Sequence, residues 1–279
     1  MTAAGDWTGK VGDVWAREWR RTERSFSYLA PQLTRAILAV APEQGQFLDL
    51  GCGVGSTSAD VAQARPLASV AGVDLSEPMV AIARERHALP NLCFLSGDAL
   101  TLDVPPLGLI FSRHGVMFFG DPQAAFGHLR RRAVAGAPLV FSCFRARGEN
   151  RWVDELDRAI GAPGCEGASY SPGPFAFADS AFVADMLAHA GWEVVTVERA
   201  DFDYVAGEGA SDEDALADAL DFFERIGPAA AAIRAAAGDA RRDLLERIGG
   251  RLARYAVSGR VEIPASAWIW TARAAGEHA

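Results

Sequence analysis

The sequence predicts an α/β fold in which a mostly parallel sheet carries helices on its faces, and three observations support this prediction. Apolar segments rich in β-branched and aromatic residues alternate with segments of helical periodicity along most of the chain. The first of these apolar segments, residues 47–50, breaks into a glycine turn and then into a sequence that can start a helix. Acidic residues stand at or just beyond the ends of three successive apolar segments, at Asp49, Asp74 and Asp98. This arrangement is typical of a nucleotide-like ligand bound at the carboxyl edge of a parallel sheet.

Length and composition predict a soluble globular protein folded as a single domain over residues 1–279. The net charge of −9 argues against a nucleic-acid partner, which would require a basic face, and a small neutral or cationic substrate fits it better. The first residues lack the apolar core of a signal peptide, and no apolar run approaches the length of a membrane span. We therefore expect a cytoplasmic protein without a membrane partner, and the composition leaves the oligomeric state open.

The four cysteines are far apart in the sequence and show no C-x-x-C spacing; they are Cys52, Cys93, Cys143 and Cys165. This spacing indicates neither a zinc site nor a disulfide framework, so we expect no bound metal. The cysteines are interpreted as reduced, buried thiols.

The N-terminal segment, residues 1–41, is expected to form helices that precede the sheet. Apolar residues recur at helical spacing within it, and Pro31 is expected to start a second helix. Two interpretations remain open. The helices either pack on the sheet as an amphipathic pair, or they form a lid that brings Trp15, Trp19 and Tyr28 to a cofactor or substrate.

The glycine turn contains Gly51, Gly53 and Gly55, where the backbone can turn tightly and approach a ligand closely. A dinucleotide fingerprint would place its third glycine at position 56, where this chain has Ser56. Asp49, at the end of the preceding strand, makes the turn unsuitable for a pyrophosphate and suitable for a cationic ligand.

Two further acids follow the glycine turn. Asp74 ends the predicted second strand, where a carboxylate can accept hydrogen bonds from two ribose hydroxyls of an adenosine cofactor. Ser76 is expected to cap the helix over residues 78–86. Asp98 follows the third strand in the sequence Gly-Asp-Ala-Leu, where it either contacts a ligand or only forms a turn.

Residues 45–145 resemble the class I S-adenosylmethionine (SAM) methyltransferases, through the sequence Asp-Leu-Gly-Cys-Gly-Val-Gly at 49–55, Val-Asp-Leu-Ser-Glu-Pro-Met at 73–79 and Gly-Asp-Ala at 97–99. The resemblance implies SAM as cofactor and a Rossmann-like, seven-stranded, mostly parallel sheet with the order 3-2-1-4-5-7-6. It also implies that the Asp98 carboxylate meets the adenine amino group. The implied cofactor-binding residues are Asp49, Gly51, Gly53, Gly55, Asp74, Leu75, Met79, Asp98, Ala99 and Ser112.

The fourth strand, residues 107–112, delivers the sequence Ser-Arg-His-Gly-Val-Met-Phe-Phe at 112–119. With the following Asp-Pro it resembles bacterial small-molecule methyltransferases related to the enzymes of ubiquinone and menaquinone synthesis. His114 is the candidate catalytic base because histidine titrates near neutral pH, although a packing or substrate-shaping role is the alternative. Arg113 either anchors an acidic substrate group or satisfies backbone carbonyls, and with Trp19 and Tyr28 it completes the predicted substrate residues.

The second half of the chain is expected to contain two insertions. Residues 145–176 form a loop-rich insertion, and residues 208–258 form a helical cap before the closing strand at 263–271. Between them a helix and a sixth strand at 192–199 are predicted. An acidic helix from residue 211 and a basic helix over 241–255 are expected to pair antiparallel and neutralise each other.

Three classes of function follow from these observations. We expect methyl transfer from SAM to a small-molecule acceptor by in-line displacement, with the protein positioning and desolvating the nucleophile. An NAD-type oxidoreductase is disfavoured by Ser56 and Asp49. A protein that keeps the SAM fold and binds SAM without methyl transfer is the third class, and the sequence identifies no particular acceptor.

Overall fold

The computed structural model of the protein describes residues 7–102, 104–162 and 170–276. Cys165, one of the four cysteines interpreted as reduced, buried thiols, lies outside these ranges. The helices are α1 (Lys10–Arg17), α2 (Trp19–Ser25), α3 (Ala30–Val40), α4 (Ser56–Ala64), α5 (Glu77–Arg86), α6 (Pro122–Arg132), α7 (Arg151–Ile160), α8 (Ser180–His189), α9 (Asp212–Arg225), α10 (Ala230–Ala235) and α11 (Gly238–Leu252). The strands are β1 (Gln44–Leu50), β2 (Leu67–Asp74), β3 (Leu92–Ser96), β4 (Leu107–Arg113), β5 (Pro138–Phe144), β6 (Trp192–Glu208), β7 (Ala256–Val257) and β8 (Arg260–Ala274).

The strands form one sheet with the order β3-β2-β1-β4-β5-β8-β6, and the short strand β7 pairs with β8 outside this row. Strands β1 to β5 are mutually parallel, whereas β8 runs antiparallel to both β5 and β6. The predicted Rossmann-like fold and strand order are confirmed, with β7 as one additional short strand. Because the order reverses between β1 and β4, a crevice opens beyond their carboxyl ends. The glycine turn and residues 113–115 lie at this crevice.

The N-terminal segment forms three helices, and Pro31 lies in the first turn of α3 as expected. Helix α3 packs against the sheet through Leu33 and Ile37, which are fully buried. Helices α1 and α2 instead reach the glycine turn and the start of α5. At Gly12 in α1, for example, an added Cβ would lie 2.8 Å from the Ser76 hydroxyl oxygen. The segment therefore both packs on the sheet and covers its carboxyl edge.

Strands β6 and β8 are much longer than the sequence indicated. The sixth strand was expected to end at residue 199 and the last to begin at 263, but the two pair continuously from Trp192↔Ala274 to Glu208↔Arg260. The period-two pattern continues after residue 199, since Phe202 and Tyr204 are buried while their polar neighbours are exposed. The resulting two-stranded extension supports helix α9, which packs on it.

The expected pairing of the acidic and basic helices is wrong for most of their charges. Glu224 of α9 does bind Arg241 of α11, at 2.7 Å. However, Asp218 of α9 pairs with Arg21 and Arg24 of α2. Arg251 in the last turn of α11 and Arg254 just after it bind Glu155 of α7. Charge balance along two helices predicts that opposite charges will meet, but it does not say which neighbours supply them.

The main core lies on both faces of the sheet, and a small second cluster lies beneath the glycine turn. The second cluster contains Cys52, Val80, Ala83 and Phe94. Cys52 and Cys143 are buried free thiols as expected, but Cys93 is exposed. None of the helices in the described ranges has the length and apolarity that a bilayer crossing requires.

Candidate cofactor and acceptor site

The glycine turn is held to the end of β2 by hydrogen bonds from its own backbone. The amides of Gly51 and Cys52 both donate to the carbonyl of Val73, at 2.8 and 3.0 Å. The Gly53 amide donates to the Asp74 carboxylate at 2.8 Å. Gly55 begins α4 with φ of 81°, and a Cβ at this position would lie 2.4 Å from the Phe94 ring. The turn therefore combines a backbone conformation and a close contact that only glycine accepts.

Asp49 is a buried acid with one unsatisfied oxygen. The residue is only 1% exposed. Its side chain lies beneath the first turn of α4, where the Ser58 hydroxyl donates to Oδ2 at 2.5 Å. The other oxygen, Oδ1, has no hydrogen-bond partner within the described ranges. Burial raises the pKa of Asp49 to about 7, although the Ser58 hydrogen bond and the Arg113 guanidinium act in the opposite direction. A buried acceptor without a donor fits a cationic group of a ligand.

Asp74 is half-buried and both its oxygens accept backbone hydrogen bonds. Oδ2 accepts from Gly53, and Oδ1 accepts from the Ser76 amide at 2.9 Å. Burial raises the pKa of Asp74, and these hydrogen bonds oppose that effect. Each carboxylate oxygen can accept a second hydrogen bond, so capacity for ribose hydroxyls remains. The ribose contact stays a prediction, as do the contacts of its neighbours Leu75 and Met79.

Met79 lies directly against the glycine turn. Its Cε would lie 3.2 Å from a Cβ added at Gly53, and its backbone amide is capped by the Ser76 hydroxyl at the start of α5. The side chain is buried. Met79 therefore forms an apolar wall beside the predicted cofactor position.

Asp98 is exposed and forms a turn after β3. Its Oδ1 accepts from the Leu100 amide at 2.9 Å, and its carbonyl accepts from the amides of Thr101 and Leu102. This is the turn-forming role given as the alternative to ligand binding. The second carboxylate oxygen of Asp98 can still accept a hydrogen bond. The adenine contacts of Asp98 and Ala99 stay predictions.

Ser112 connects β4 to the glycine turn. Its hydroxyl donates to the Leu50 carbonyl at 2.6 Å and accepts from the Gly115 amide at 3.1 Å. At Gly51 an added Cβ would lie 3.1 Å from the Gly115 Cα, so the two backbones are in close contact. Because both hydrogen-bonding functions of Ser112 are used, its contribution to the site is to hold these two segments together, and its cofactor contact stays a prediction.

His114 lies beside the turn in an unusual backbone conformation, with φ of 59°. Its Nδ1 is 2.8 Å from the Ser142 hydroxyl, and its Nε2 is buried without a partner among the described residues. Burial lowers the pKa of His114 to about 3, and the charge of Arg113 adds to this effect. The imidazole is therefore neutral near pH 7 and a weak base, which favours the substrate-shaping alternative over proton abstraction. Its catalytic role remains a prediction.

An aromatic cluster that we did not predict surrounds His114. Its ring packs 4.9 Å from Phe26 and 4.4 Å from Phe144. Trp152 lies beyond Phe144 and stacks on Tyr204 at 4.8 Å between ring centroids. The Trp152 Nε1 hydrogen-bond donor is buried and, within the described chain, unpaired. These rings come from four distant segments of the chain, so no local pattern could have identified the cluster.

The predicted substrate residues lie in different surroundings. Trp19 reaches the crevice side, where the Arg86 guanidinium lies 4.2 Å from its ring centroid. Tyr28 is 43% exposed and donates to Glu262 on β8 at 3.0 Å. Arg113 forms an ion pair with Glu23 of α2, a residue that the sequence did not single out. Their substrate contacts remain predictions.

The arrangement fits a zwitterionic, adenosine-bearing cofactor such as SAM. Asp49 offers an unpaired buried acceptor for an ammonium group, and the glycine backbone permits close approach. The Asp74 and Asp98 carboxylates can each accept further hydrogen bonds. They lie at the carboxyl ends of the neighbouring strands β2 and β3, on one edge of the sheet.

Comparison with known proteins finds methyltransferases among the similar sequences and structures. The family description "Methyltransferase domain" matches residues 47–136. A demethylmenaquinone methyltransferase of Roseiflexus castenholzii is 30% identical over 173 residues, which are 57% of this chain and 72% of the relative. A trans-aconitate 2-methyltransferase of Deinococcus radiodurans is 38% identical over 108 residues, or 38% of this chain and 41% of the relative. A demethylmenaquinone methyltransferase of Thermus thermophilus is 34% identical over 107 residues, which are 37% of this chain and 49% of the relative. The matches thus span less than half the length of the latter two relatives.

Solved structures share the fold over most of the chain. Magnesium protoporphyrin IX methyltransferase of Synechocystis, solved with bound S-adenosylhomocysteine (SAH), has a TM-score of 0.52 and 20% identity, covering 70% of this chain and 90% of that one. The cyclase SpnF has a TM-score of 0.50 and 20% identity, and the match covers 88% of this chain and 81% of SpnF. At these identities the likeness concerns the fold alone.

Proposed function

We propose that this chain, which belongs to the class I SAM-dependent methyltransferase family, transfers a methyl group from SAM to a small-molecule acceptor. The observation that carries the proposal is the buried Oδ1 of Asp49 at the carboxyl edge of β1, which has no partner among the described residues and lies beside the glycine turn. An adenosine cofactor with an ammonium group supplies the missing partner. The names of the relatives support a small acceptor, since they include trans-aconitate and demethylmenaquinone methyltransferases.

Each cofactor residue has one task in this proposal. Asp49 binds the ammonium group, Asp74 binds the ribose hydroxyls and Asp98 binds the adenine amino group. Met79 and Leu75 form the apolar wall of the pocket. When bound, SAM supplies a methyl group that its sulfonium already makes electrophilic, so the protein has to position the acceptor and exclude water.

The acceptor is proposed to bind at the aromatic cluster next to His114. Phe26, Phe144 and Trp152 supply an apolar wall, and the unpaired Nε2 of His114 and Nε1 of Trp152 supply hydrogen bonds that orient the reacting atom. The neutral His114 shapes and orients the acceptor rather than taking its proton, because its pKa of about 3 makes it a weak base. An acceptor that enters already deprotonated, or as a carbon nucleophile, needs no stronger base.

Binding of SAH, measured by calorimetry on the wild-type chain, is the first test. The Asp74→Ala variant should bind SAH at least about tenfold more weakly, because a charge-assisted hydrogen bond to the ribose is lost. Asp203→Ala is the matched control, since Asp203 is an exposed acid on the distant part of β6. Unchanged affinity in Asp74→Ala would contradict the ribose assignment.

Methyl transfer is then tested with labelled SAM and a panel of small acids, phenols and quinols. A methylated product confirms the proposal. Tight SAH binding without product across the panel supports the alternative that the chain uses the fold for another purpose, as the shared fold of the cyclase SpnF illustrates. Thermal stabilisation by NAD but not by SAH would instead support the oxidoreductase alternative.

A further inference from the structure

Glu23 of α2 places a carboxylate inside the candidate site. One of its oxygens, Oε1, accepts a hydrogen bond from Nη2 of Arg113, and the other, Oε2, accepts from the hydroxyl of Ser56. Its side chain is 19% exposed. Arg113 ends β4 and Ser56 begins α4, so the contact ties α2 to the two segments that border the glycine turn.

The surroundings of Glu23 are basic. Arg86 donates to the Ser56 hydroxyl at 3.3 Å and to the Val54 carbonyl at 3.1 Å. Burial acts against the charge of Glu23, but Arg113, Ser56 and Arg86 outweigh it and hold the pKa of Glu23 below its ordinary value. The carboxylate is therefore ionised at neutral pH. Two arginines and a hydroxyl group thus surround one anion.

The same first turn of α4 connects this anion position to Asp49. Ser56 contacts Glu23, and Ser58, two residues later, donates to Asp49. A cation-binding acid and an anion-binding arginine therefore lie on either side of one helical turn. This is the charge pattern that the two ends of an α-amino acid require, an ammonium and a carboxylate on one carbon atom.

We propose that Arg113 and Ser56 form the subsite for the carboxylate of the cofactor's amino-acid end, and that Glu23 occupies this subsite while the site is empty. The proposal rests on the proposed function, because it concerns the same cofactor pocket. The single hydroxyl hydrogen of Ser56 cannot be donated to two carboxylates, and two carboxylates at this position repel each other, so cofactor binding displaces Glu23 and frees α2 from the start of α4. Arg113 accordingly recognises the cofactor rather than the acceptor.

The test compares two ligands in the wild type and three variants by calorimetry. SAH carries the amino-acid end, whereas 5′-methylthioadenosine has the same adenosine and sulfur without a carboxylate or an ammonium. Glu23→Gln removes the competing charge and should bind SAH about tenfold more tightly, since one charge-assisted hydrogen bond no longer has to be broken. Its affinity for 5′-methylthioadenosine should be unchanged. Glu77→Gln is the control, because Glu77 is an exposed acid on α5 that pairs with Arg84.

Arg113→Gln supplies the complementary arm, with an expected loss of SAH affinity of at least about tenfold and no change for 5′-methylthioadenosine. Three results for Glu23→Gln would overturn the proposal. Equal gains in affinity for both ligands would indicate a general opening of the N-terminal helices, and weaker SAH binding would make Glu23 a cofactor ligand. Unchanged SAH affinity would show that Glu23 does not compete with the cofactor. If the wild type binds neither ligand, the proposed function fails together with this inference. If it binds both and Glu23→Gln has no effect, only this inference fails.

Discussion

Asp49 lies near the end of β1, where one carboxylate oxygen accepts a hydrogen bond from Ser58 and the other has no partner in the part of the chain that the structure describes. Burial raises its pKa to about 7. If Asp49 binds the ammonium group of the cofactor as proposed, ligand binding depends on pH in this range, because only the ionised carboxylate attracts an ammonium group.

We expect the affinity for SAH to fall about tenfold between pH 8 and pH 6, as Asp49 takes up a proton across its pKa of about 7. In Asp49→Asn the affinity should be lower at pH 8 and should change much less with pH. Calorimetric titrations of both proteins at several pH values measure this. An equally steep pH dependence in Asp49→Asn would assign the effect to another group.

The same substitution should raise stability in the absence of ligand. A carboxyl group with a folded-state pKa above its unfolded value favours the folded state at low pH, and this contribution is lost as pH rises through about 7. Asp49→Asn should therefore melt at least about 2 °C higher than the wild type at pH 8, and the difference should shrink at pH 5. Thermal unfolding without ligand at both pH values measures this. A lower melting temperature at pH 8 would contradict the assigned pKa.

The pKa of His114 makes stability depend on pH in the opposite direction from that of Asp49. Its folded-state pKa of about 3 lies below the unfolded value of 6.5, so the unfolded chain binds a proton that the folded protein excludes. The contribution of His114 to stability is therefore present above pH 6.5 and is lost progressively as pH falls towards 3. The stability of the wild type should fall by about 2 kcal/mol between pH 7 and pH 5 through this residue alone.

His114→Asn isolates this contribution, because asparagine tolerates positive φ and can hydrogen-bond to Ser142. Urea unfolding at pH 7 and pH 5 should show a smaller loss of stability in His114→Asn than in the wild type. His87 and His128 also have lowered pKa values. Both residues are present in the wild type and in His114→Asn, so their contributions cancel in the comparison. Equal losses in the two proteins would show that the folded state protonates His114 readily.

At the scale of elements, the glycine turn depends on its fit against α5 and β3. Gly55 has positive φ, and an added Cβ would overlap the Phe94 ring and lie 3.1 Å from the Ala83 side chain. Gly136 has a similar φ of 73°, but a Cβ there meets no heavy atom of the described chain within 4 Å. The two positions therefore separate backbone strain from steric overlap.

Gly55→Ala should lower the free energy of unfolding by at least about 1 kcal/mol more than Gly136→Ala does. Both variants carry the strain of a left-handed residue, but only Gly55→Ala must move Phe94 and the start of α4. Urea denaturation compares the two, and SAH binding should weaken in Gly55→Ala alone. Equal destabilisation would mean that Phe94 shifts without appreciable energy.

At the scale of the whole molecule, charged groups join the N-terminal helices to the helical insertion. Asp218 of α9 lies 2.8 Å from Arg21 and 2.7 Å from Arg24. Arg24 also donates to the Ala206 carbonyl of β6 at 2.8 Å. Helix α2 is thus held to α9 and β6 by Arg21 and Arg24, and to the start of α4 and the end of β4 by Glu23. Opening of α2 should therefore loosen α9 as well.

Asp218→Asn should increase hydrogen exchange in α2 and α9 together, because Arg21 and Arg24 both lose their ion pair with Asp218 and only the pair of Arg21 with Asp221 remains. Glu213→Gln in the same helix removes an exposed charge and should leave exchange unchanged. Hydrogen exchange read by mass spectrometry on both variants makes the comparison. Faster exchange confined to α9 would show that the two segments open independently.

The resemblance of residues 45–145 to the class I SAM methyltransferases implied the order of the strands. The residues themselves predicted the glycine turn and the acids at the ends of β1, β2 and β3. These features could be identified because their causes are local. A glycine allows a left-handed residue, a proline or serine starts a helix, and a strand end determines which edge of the sheet an acid reaches. Residues such as Asp49, Asp74 and Asp98 therefore came together from spacing alone.

The tertiary structure decided which distant side chains meet. Glu23 meets Arg113, Trp152 meets Tyr204 and Asp218 meets Arg24, in each case across a large part of the chain. It also decided that His114 is neutral, since burial rather than residue type lowers its pKa. Partner choice and desolvation depend on how elements pack in three dimensions, whereas the turn and the strand ends depend on neighbours in sequence. For that reason the sequence identified the cofactor edge, and only the packing showed what closes over it.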